Sequence, residues 1–219
     1  SWLARQAGGP SRAYGRLLFC CDLGGARGLE TLAGAMKLSV TGLNHRTSPV
    51  ELREQVWVSG DALPRAFQRL QELGAGEAVL LSTCNRVEVA LATADSVPAR
   101  ELALQFLAEA GKLPPELLHR YIYHYEGPEA IRHLFRVASG LDSMVIGEPQ
   151  ILGQVKHAFA QAKACGALKG QLEMVLHHAF RVAKRVRTET AIGRNAVSVS
   201  YVAVELARQI FGQLANCTV

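Results

Sequence analysis

The sequence has no apolar run long enough to cross a membrane and no cysteine pattern typical of a disulfide-stapled domain. A membrane-spanning helix needs roughly 20 apolar residues in succession, and no run in these 219 residues approaches that length. The five cysteines are odd in number and irregularly spaced, which favours a reducing compartment. We therefore expect a globular protein of the cytoplasm that makes no use of a membrane.

Two cofactor signatures are also absent. No Cys-x-x-Cys or His-x-x-x-His pair occurs, so no metal site is expected. No glycine-rich turn of the kind that cradles a dinucleotide pyrophosphate is present. The net charge of +5 is compatible with a polyanionic partner but too small to require one.

Residues 1–36 differ in composition from the rest of the chain. They are rich in Gly and Arg, lack a helical or strand period, and contain only one apolar run, shorter than the core of a secretion signal. We expect a foreign or disordered leader of cloning or mistranslation origin, with Met36 as the natural start. An Arg-rich, acid-poor leader is also compatible with a transit peptide, which would place the protein in an organelle.

The remainder interleaves strands with helices. Alternation and β-branched or aromatic content predict strands at 38–43, 77–81, 87–91 and 121–125. The sequence Ser48-Pro49-Val50-Glu51 has the form of a capping box and predicts a short helix from Pro49. Apolar spacing predicts longer helices at 61–73, around 103–110, and from about 128, 149, 172 and 197. The pattern predicts a compact α+β fold, an antiparallel sheet with helices that is followed by further helices.

The first candidate site is the stretch Ser82-Thr83-Cys84-Asn85-Arg86, which lies between two predicted strands. A strand end or turn exposes side chains to solvent, and a thiol beside a fixed positive charge ionises more readily to the nucleophilic thiolate. Arg86 supplies such a charge, and its planar fork could also hold a carboxylate. The alternative is a half-buried cysteine at the end of a core strand, which is the commoner role of a lone intracellular cysteine.

Two further features have both a functional and a structural interpretation. His133 lies near the polar edge of a predicted helix, where it would act either as a general base or as a partly buried structural histidine. A polar turn leads into the helix predicted from about 149, and it would either present hydrogen bonds to a ligand or only connect two helices. Its polar and turn-forming residues are Ser143, Gly147, Glu148, Pro149, Gln150 and Gln154.

Four blocks of sequence resemble the N-terminal catalytic domain of glutamyl-tRNA reductase, in the order in which that family has them. The resemblance extends from Lys37 to Val219, and the long third block is the most specific. The blocks are residues 42–50 (Gly-Leu-Asn-His-Arg-Thr-Ser-Pro-Val), 81–86 (Leu-Ser-Thr-Cys-Asn-Arg), 137–156 and 183–190.

The resemblance implies an activity and a set of roles. Members reduce the glutamyl group of glutamyl-tRNA with NADPH to glutamate-1-semialdehyde, which feeds tetrapyrrole (porphyrin and haem) synthesis. By this resemblance Cys84 displaces the tRNA and forms a thioester, and His133 is a histidine important for activity. The residues implied to bind substrate are Thr83, Asn85, Arg86, Ser143, Glu148, Pro149, Gln150 and Gln154.

The resemblance also implies a domain organisation. We expect a glutamyl-tRNA-binding catalytic domain at 37–190, and at 191–219 the start of a long connecting helix that is truncated before the NADPH-binding domain. No NADPH-binding residue is therefore expected in this chain, and a dimerisation domain is missing as well. Besides glutamyl-tRNA, glutamate-1-semialdehyde aminomutase is an expected partner. The family is homodimeric, whereas a monomer is expected for this fragment.

Two alternatives to a catalytic part remain open. One is a tRNA-binding module that lost its chemistry together with its cofactor domain. The other is a regulatory fragment that competes for the family's partners. The intact Thr83-Cys84-Asn85-Arg86 stretch favours the enzyme, because a binding module has no need of the thiol.

Overall fold

The computed structural model describes residues 37–193, Val204 and residues 206–210. Residues 37–193 contain four strands, seven α-helices and short 3-10 turns at Gly60–Ala62 and Ala191–Gly193. In chain order the strands and helices are β1 (Lys37–Asn44), α1 (Val50–Gln55), α2 (Leu63–Glu72), β2 (Glu77–Thr83), β3 (Arg86–Thr93), α3 (Ala99–Gly111), α4 (Pro115–Leu118), β4 (Tyr123–Glu126), α5 (Gly127–Ala138), α6 (Gln150–Ala164) and α7 (Gln171–Glu189).

The four strands form one antiparallel sheet in the order β2-β3-β1-β4. β1 lies between β3 and β4, so Gly42 is opposite Glu88 on one side and Tyr123 on the other. β2 pairs with β3 through the hairpin that contains Cys84. The predicted α+β class and the antiparallel sheet are confirmed.

Helices cover both faces of the sheet, which explains why nearly every residue of β1, β2 and β3 is buried. On one face, Val79, Leu81 and Ala90 pack against α5, α6 and α7. Their partners there are Leu134, Val137, Val155, Ala158 and Leu176. α2 and α3 contact the sheet from the other side. No helix in the described part of the chain is long and apolar enough to span a membrane.

Glu77, at the start of β2, ties the sheet to the N-terminus of α7. Its buried carboxylate accepts the backbone N–H groups of Lys169 and Gly170 on Oε2 (3.0 and 3.1 Å). Its Oε1 accepts those of Gln171 and Leu172 (2.7 and 3.2 Å). The first N–H groups of a helix have no partner within it, and the helix dipole is positive there. A carboxylate from the sheet therefore caps α7, where Gly170 has no side chain to do so.

The predicted capping box at Ser48 is wrong, although the short helix itself is confirmed. Ser48 Oγ donates to the carbonyl of Asn44 (3.1 Å) and is not available to the helix. α1 begins at Val50, with Pro49 as N-cap and no side-chain cap. The Ser48 segment is thus folded back on the end of β1.

The fourth strand begins later than predicted, and only part of the predicted last helix lies within the described residues. β4 begins at Tyr123, because the N–H groups of Tyr121 and Ile122 both bond to Leu118 O and extend the turn after α4. Of the helix predicted from about 197, Val204 and residues 206–210 are helical, and Leu206 and Ile210 are exposed. The rest of that helix and the leader 1–36 lie outside the described residues.

We expect Glu77→Ala to lower the free energy of unfolding by roughly 3 kcal/mol, because it leaves four N–H groups at the start of α7, including that of the buried Leu172, without their acceptor. Urea unfolding followed by circular dichroism measures the loss. Glu116→Ala, at an exposed position on α4, is the matched control and should change stability by less than about 0.5 kcal/mol. Equal effects of the two variants would contradict the capping role.

Candidate active site on the Cys84 hairpin

Cys84 and Asn85 form the two-residue turn between β2 and β3, and the Cys84 side chain is exposed. The favoured two-residue hairpin turns need residues with positive φ. Among the described non-glycine residues only Lys112 has one. Instead, Thr83 Oγ1 accepts the N–H groups of Asn85 (3.3 Å) and Arg86 (3.1 Å). The Thr83 side chain therefore compensates for a turn that is not intrinsically favoured.

Two neighbouring segments hold the same turn from outside. Arg53 on α1 is buried and donates its Nε to Cys84 O (3.2 Å) and its Nη1 to Ser48 O (2.5 Å). The N–H of His45, just after β1, donates to Asn85 O (2.9 Å). Arg53 was not among the predicted site residues, because nothing in its local spacing indicates a partner 31 residues away. These contacts fix the backbone that carries the exposed thiol.

The substrate-binding role of Arg86 stays a prediction, and in this structure its guanidinium fork already contacts internal groups. Its side chain is 1% exposed. Nη1 donates to Glu88 Oε1 (2.6 Å), and Nη2 donates to Asp142 O (2.5 Å) and Oδ2 (3.2 Å). Two internal carboxylates thus balance its charge, and Arg86 ties the hairpin to the segment that follows α5.

Glu88 is the point at which this network converges. Its Oε1 accepts hydrogen bonds from Arg86, from Tyr123 Oη (2.5 Å) and from His133 Nε2 (2.9 Å), whereas its buried Oε2 has no partner in the described part of the chain. Tyr123 reaches Glu88 across β1 because Gly42 lies between them. A Cβ on Gly42 would approach Glu88 Cγ to 2.8 Å and Val87 O to 2.5 Å.

The charges of this cluster stabilise one another. Burial by itself would raise the pKa of Glu88, but His133 and Arg86, with the hydrogen bonds from His133 and Tyr123, hold that pKa well below its usual range. Burial raises the pKa of the Tyr123 hydroxyl well above its usual value, and the Glu88 charge raises it further. Glu88 is therefore an anion and Tyr123 a neutral donor at neutral pH.

His133 is buried, and the network explains why. Only 7% of the residue is exposed, its Nε2 donates to Glu88, and its ring stacks on Tyr125 with centroids 4.8 Å apart. Its burial agrees with the structural interpretation, and its role in activity stays a prediction. The same bond links it through Glu88 to Arg86, two residues from Cys84.

His45 was not among the predicted site residues, although it lies within the first resembling block. Burial lowers its pKa, and the charges of Arg46 and Arg86 lower it further. Its Nδ1 is buried with no partner among the described residues. A neutral imidazole therefore lies beside the Cys84 turn at neutral pH.

The segment between α5 and α6 is anchored at both ends. Ser143 is buried next to Asp142, which Arg86 holds. Glu148 is also buried, and its carbonyl accepts Arg187 Nη2 from α7 (2.6 Å). Gly147 has φ +82°, and a Cβ there would approach Ile192 O to 2.4 Å, so this position requires glycine. The segment is thus fixed at Asp142 and at Glu148 by contacts far along the chain.

Gln150 and Gln154 line a cleft of about 550 Å³ together with Ser82 of β2. Ser82 precedes Cys84 by two residues, so the cleft opens beside the hairpin turn. Pro149 is exposed and is the N-cap of α6. In the described part of the chain, no group of three or more His, Cys, Asp or Glu side chains is arranged to bind a metal ion.

Fold and site together define an α+β domain that presents an exposed thiol on a braced sheet hairpin beside an open cleft. Residues 41–190, more than half of the chain, match the family model of the glutamyl-tRNAGlu reductase N-terminal domain. The chain belongs to this family.

Individual relatives agree with the family assignment. The glutamyl-tRNA reductase of Solibacter usitatus is 55% identical over 185 residues, which cover 84% of this chain and 44% of the relative. Glutamyl-tRNA reductase 2 of Koribacter versatilis is 49% identical, with 84% and 42% covered. The solved glutamyl-tRNA reductase from Methanopyrus kandleri matches with a TM-score of 0.61 and 38% identity over 78% of this chain and 39% of that one. The chain spans less than half the length of these relatives.

We expect Glu88→Gln to destabilise the domain by roughly 3–5 kcal/mol at neutral pH, because it leaves Arg86 and His133 buried without their shared anion. Because the folded-state pKa of Glu88 lies below the ordinary 4.5, its contribution is present above about pH 4.5 and is lost as the pH falls through the folded pKa. Urea unfolding at a series of pH values tests this, with the exposed Glu129→Gln as control. If the difference in unfolding free energy between wild type and Glu88→Gln stays constant below about pH 4.5, the proposed network is contradicted.

Proposed function

We propose that this chain performs the acyl-transfer half of the glutamyl-tRNA reductase reaction. The Cys84 thiolate attacks the carbonyl carbon of the ester that joins glutamate to the tRNA. A sulfur–carbon bond forms, the carbon–oxygen bond breaks, and the ribose oxygen leaves and takes up a proton. The observation that carries the proposal is the exposed thiol on a turn fixed by Thr83, Arg53 and the backbone of His45.

The roles of the neighbouring residues follow from their contacts. We assign Arg86 to positioning, since its terminal nitrogens already donate to Glu88 and Asp142. His133, held by Glu88, orients the same network. Asn85 is half-buried in the turn itself and is assigned to the glutamyl group. The other residues proposed to contact substrate are Thr83, Ser143, Glu148, Pro149, Gln150 and Gln154.

NADPH supplies hydride in the reduction that completes the family's reaction and yields glutamate-1-semialdehyde. The described residues do not fit this cofactor, because their sheet is wholly antiparallel and has no glycine-rich strand-to-helix turn for a pyrophosphate. We therefore assign no residue of this chain to hydride transfer. A homodimer of the complete enzyme, a monomer for this length of chain, cytoplasmic location and association with the aminomutase remain predictions based on the resemblance.

The second candidate is a tRNA-binding module without chemistry. It predicts tRNA binding that is indifferent to Cys84. The exposed, braced thiol favours the enzyme, because binding alone gives no reason to fix the backbone beneath a cysteine.

The test is whether glutamate moves from tRNA to Cys84. Incubation of the purified chain with glutamyl-tRNA, without NADPH, should add the mass of one glutamyl group to the intact protein, and peptide mapping should place it on Cys84. Cys84→Ser should abolish transfer, because a serine hydroxyl is a far weaker nucleophile at this pH.

The matched control is Cys165→Ser, which alters the half-buried cysteine at the end of α6 and should leave transfer unchanged. Uptake of glutamate by Cys84→Ser would refute the nucleophile assignment. Binding of glutamyl-tRNA by the wild type without any transfer would support the binding module instead.

A further inference from the structure

The cleft beside the hairpin extends well beyond the residues that resemblance assigns to substrate. It lies between the outer edge of β2, one stripe of α6 and the segment after α1. Its volume of about 550 Å³ is within the usual range for small-molecule sites. Ser82, one of its lining residues, is two residues or about 7 Å along the strand from Cys84.

The cleft wall combines an aromatic face with amide groups. Trp57 lines the cleft and is 40% exposed, so its indole is an accessible aromatic surface there. Across from it, α6 contributes side chains at helical spacing, one above another on a single face. They are Gln150, Gln154, His157 and Gln161.

The strand edge adds backbone hydrogen-bonding groups. Ala78 turns its N–H away from β3, to the carbonyl of Ala167 (2.9 Å). Since alternate residues of a strand point the same way, Leu80 and Ser82 direct their N–H and C=O groups to that same open edge, along the cleft. Such groups on an edge strand are available to a ligand.

No Asp, Glu, Lys or Arg side chain is among the described residues that line the cleft. A phosphate or carboxylate would find no opposite charge there, whereas a flat, uncharged, hydrogen-bonding ring finds both a stacking surface and amides. Proteins bind unpaired bases in this way, by stacking on aromatic side chains and by hydrogen bonds to the base edge. Glutamine amides in particular match the donor and acceptor of adenine.

We propose that this cleft binds the terminal adenosine of the tRNA acceptor end, with Trp57 as the stacking surface and Gln161 and His157 as partners of the adenine edge. The proposal rests on the proposed function: the ester that Cys84 attacks joins glutamate directly to the ribose of that adenosine, so the nucleoside must lie next to the thiol. The cleft begins at the required place and has the required chemistry.

A binding measurement tests the cleft independently of any transfer to Cys84. The sequence has two tryptophans, Trp2 and Trp57, so a Trp2→Phe chain reports on Trp57 alone. Adenosine should quench its fluorescence in a saturable way, and cytidine should do so more weakly, because it offers a smaller ring to stack. Unchanged emission with millimolar adenosine would overturn the proposal. If extended peptides quench the Trp57 fluorescence and adenosine does not, the edge of β2 binds a protein partner and the proposal is overturned.

A kinetic measurement then links the cleft to the reaction. The rate of Cys84 acylation is measured with glutamyl-tRNA and with a glutamyl thioester of a simple thiol, which has no adenosine. For Trp57→Leu the ratio of the first rate to the second should fall about ten- to hundredfold, the loss expected for one stacked base. Trp57→Phe should recover most of it.

Met174→Ala removes an exposed apolar side chain on α7, away from the cleft, and should leave the ratio at its wild-type value. A wild-type ratio in Trp57→Leu would overturn the assignment of Trp57. If the wild type accepts glutamate from neither donor, the proposed acyl transfer fails, while the fluorescence titration still decides the cleft.

Discussion

The buried ion pair between Arg86 and Glu88 is the interaction on which the site depends. Moving two charges out of water is costly, and their attraction offsets that cost only when their remaining hydrogen-bonding groups are satisfied as well. Here Glu88 Oε1 also accepts hydrogen bonds from Tyr123 and His133, and Arg86 also donates to Asp142, while Glu88 Oε2 has no partner among the described residues. One pair thereby joins β3, β4, α5 and the segment after α5 at the base of the Cys84 turn.

The sheet can accommodate this cluster because one position of β1, Gly42, has no side chain. Gly42 in the central strand leaves an open path between β3 and β4, through which Tyr123 reaches Glu88. At the other end of β2, Glu77 uses the same principle, a carboxylate directed from a strand into backbone N–H groups at the start of α7. Buried charged side chains of the strands, Glu77, Arg86 and Glu88, thus stabilise both the fold and the site.

Local pattern predicted the elements but not the network. Alternation placed the hairpin around Cys84, and apolar spacing placed the long helices, because both signals act over a few residues. The same alternation in Arg86-Val87-Glu88-Val89 is typical of a strand with one solvated face, yet helices cover both faces here, so the polar pair is buried. Its partners His133 and Asp142 are 45 and 56 residues away. No short-range pattern contains that information, and the same limit hid Arg53.

The most direct test of this account separates the stability that the ion pair provides from its effect on Cys84. The double variant Arg86→Met/Glu88→Leu replaces both charges with apolar side chains, which often restores the stability that single replacements remove. The measurement is the rate of glutamyl transfer to Cys84 in a double variant shown by urea unfolding to be as stable as the wild type. The account predicts a stable domain whose transfer is slowed by about a hundredfold, because the turn and Asp142 are no longer positioned for reaction. Transfer at the wild-type rate would show that the ion pair only stabilises the fold, and would contradict the central claim.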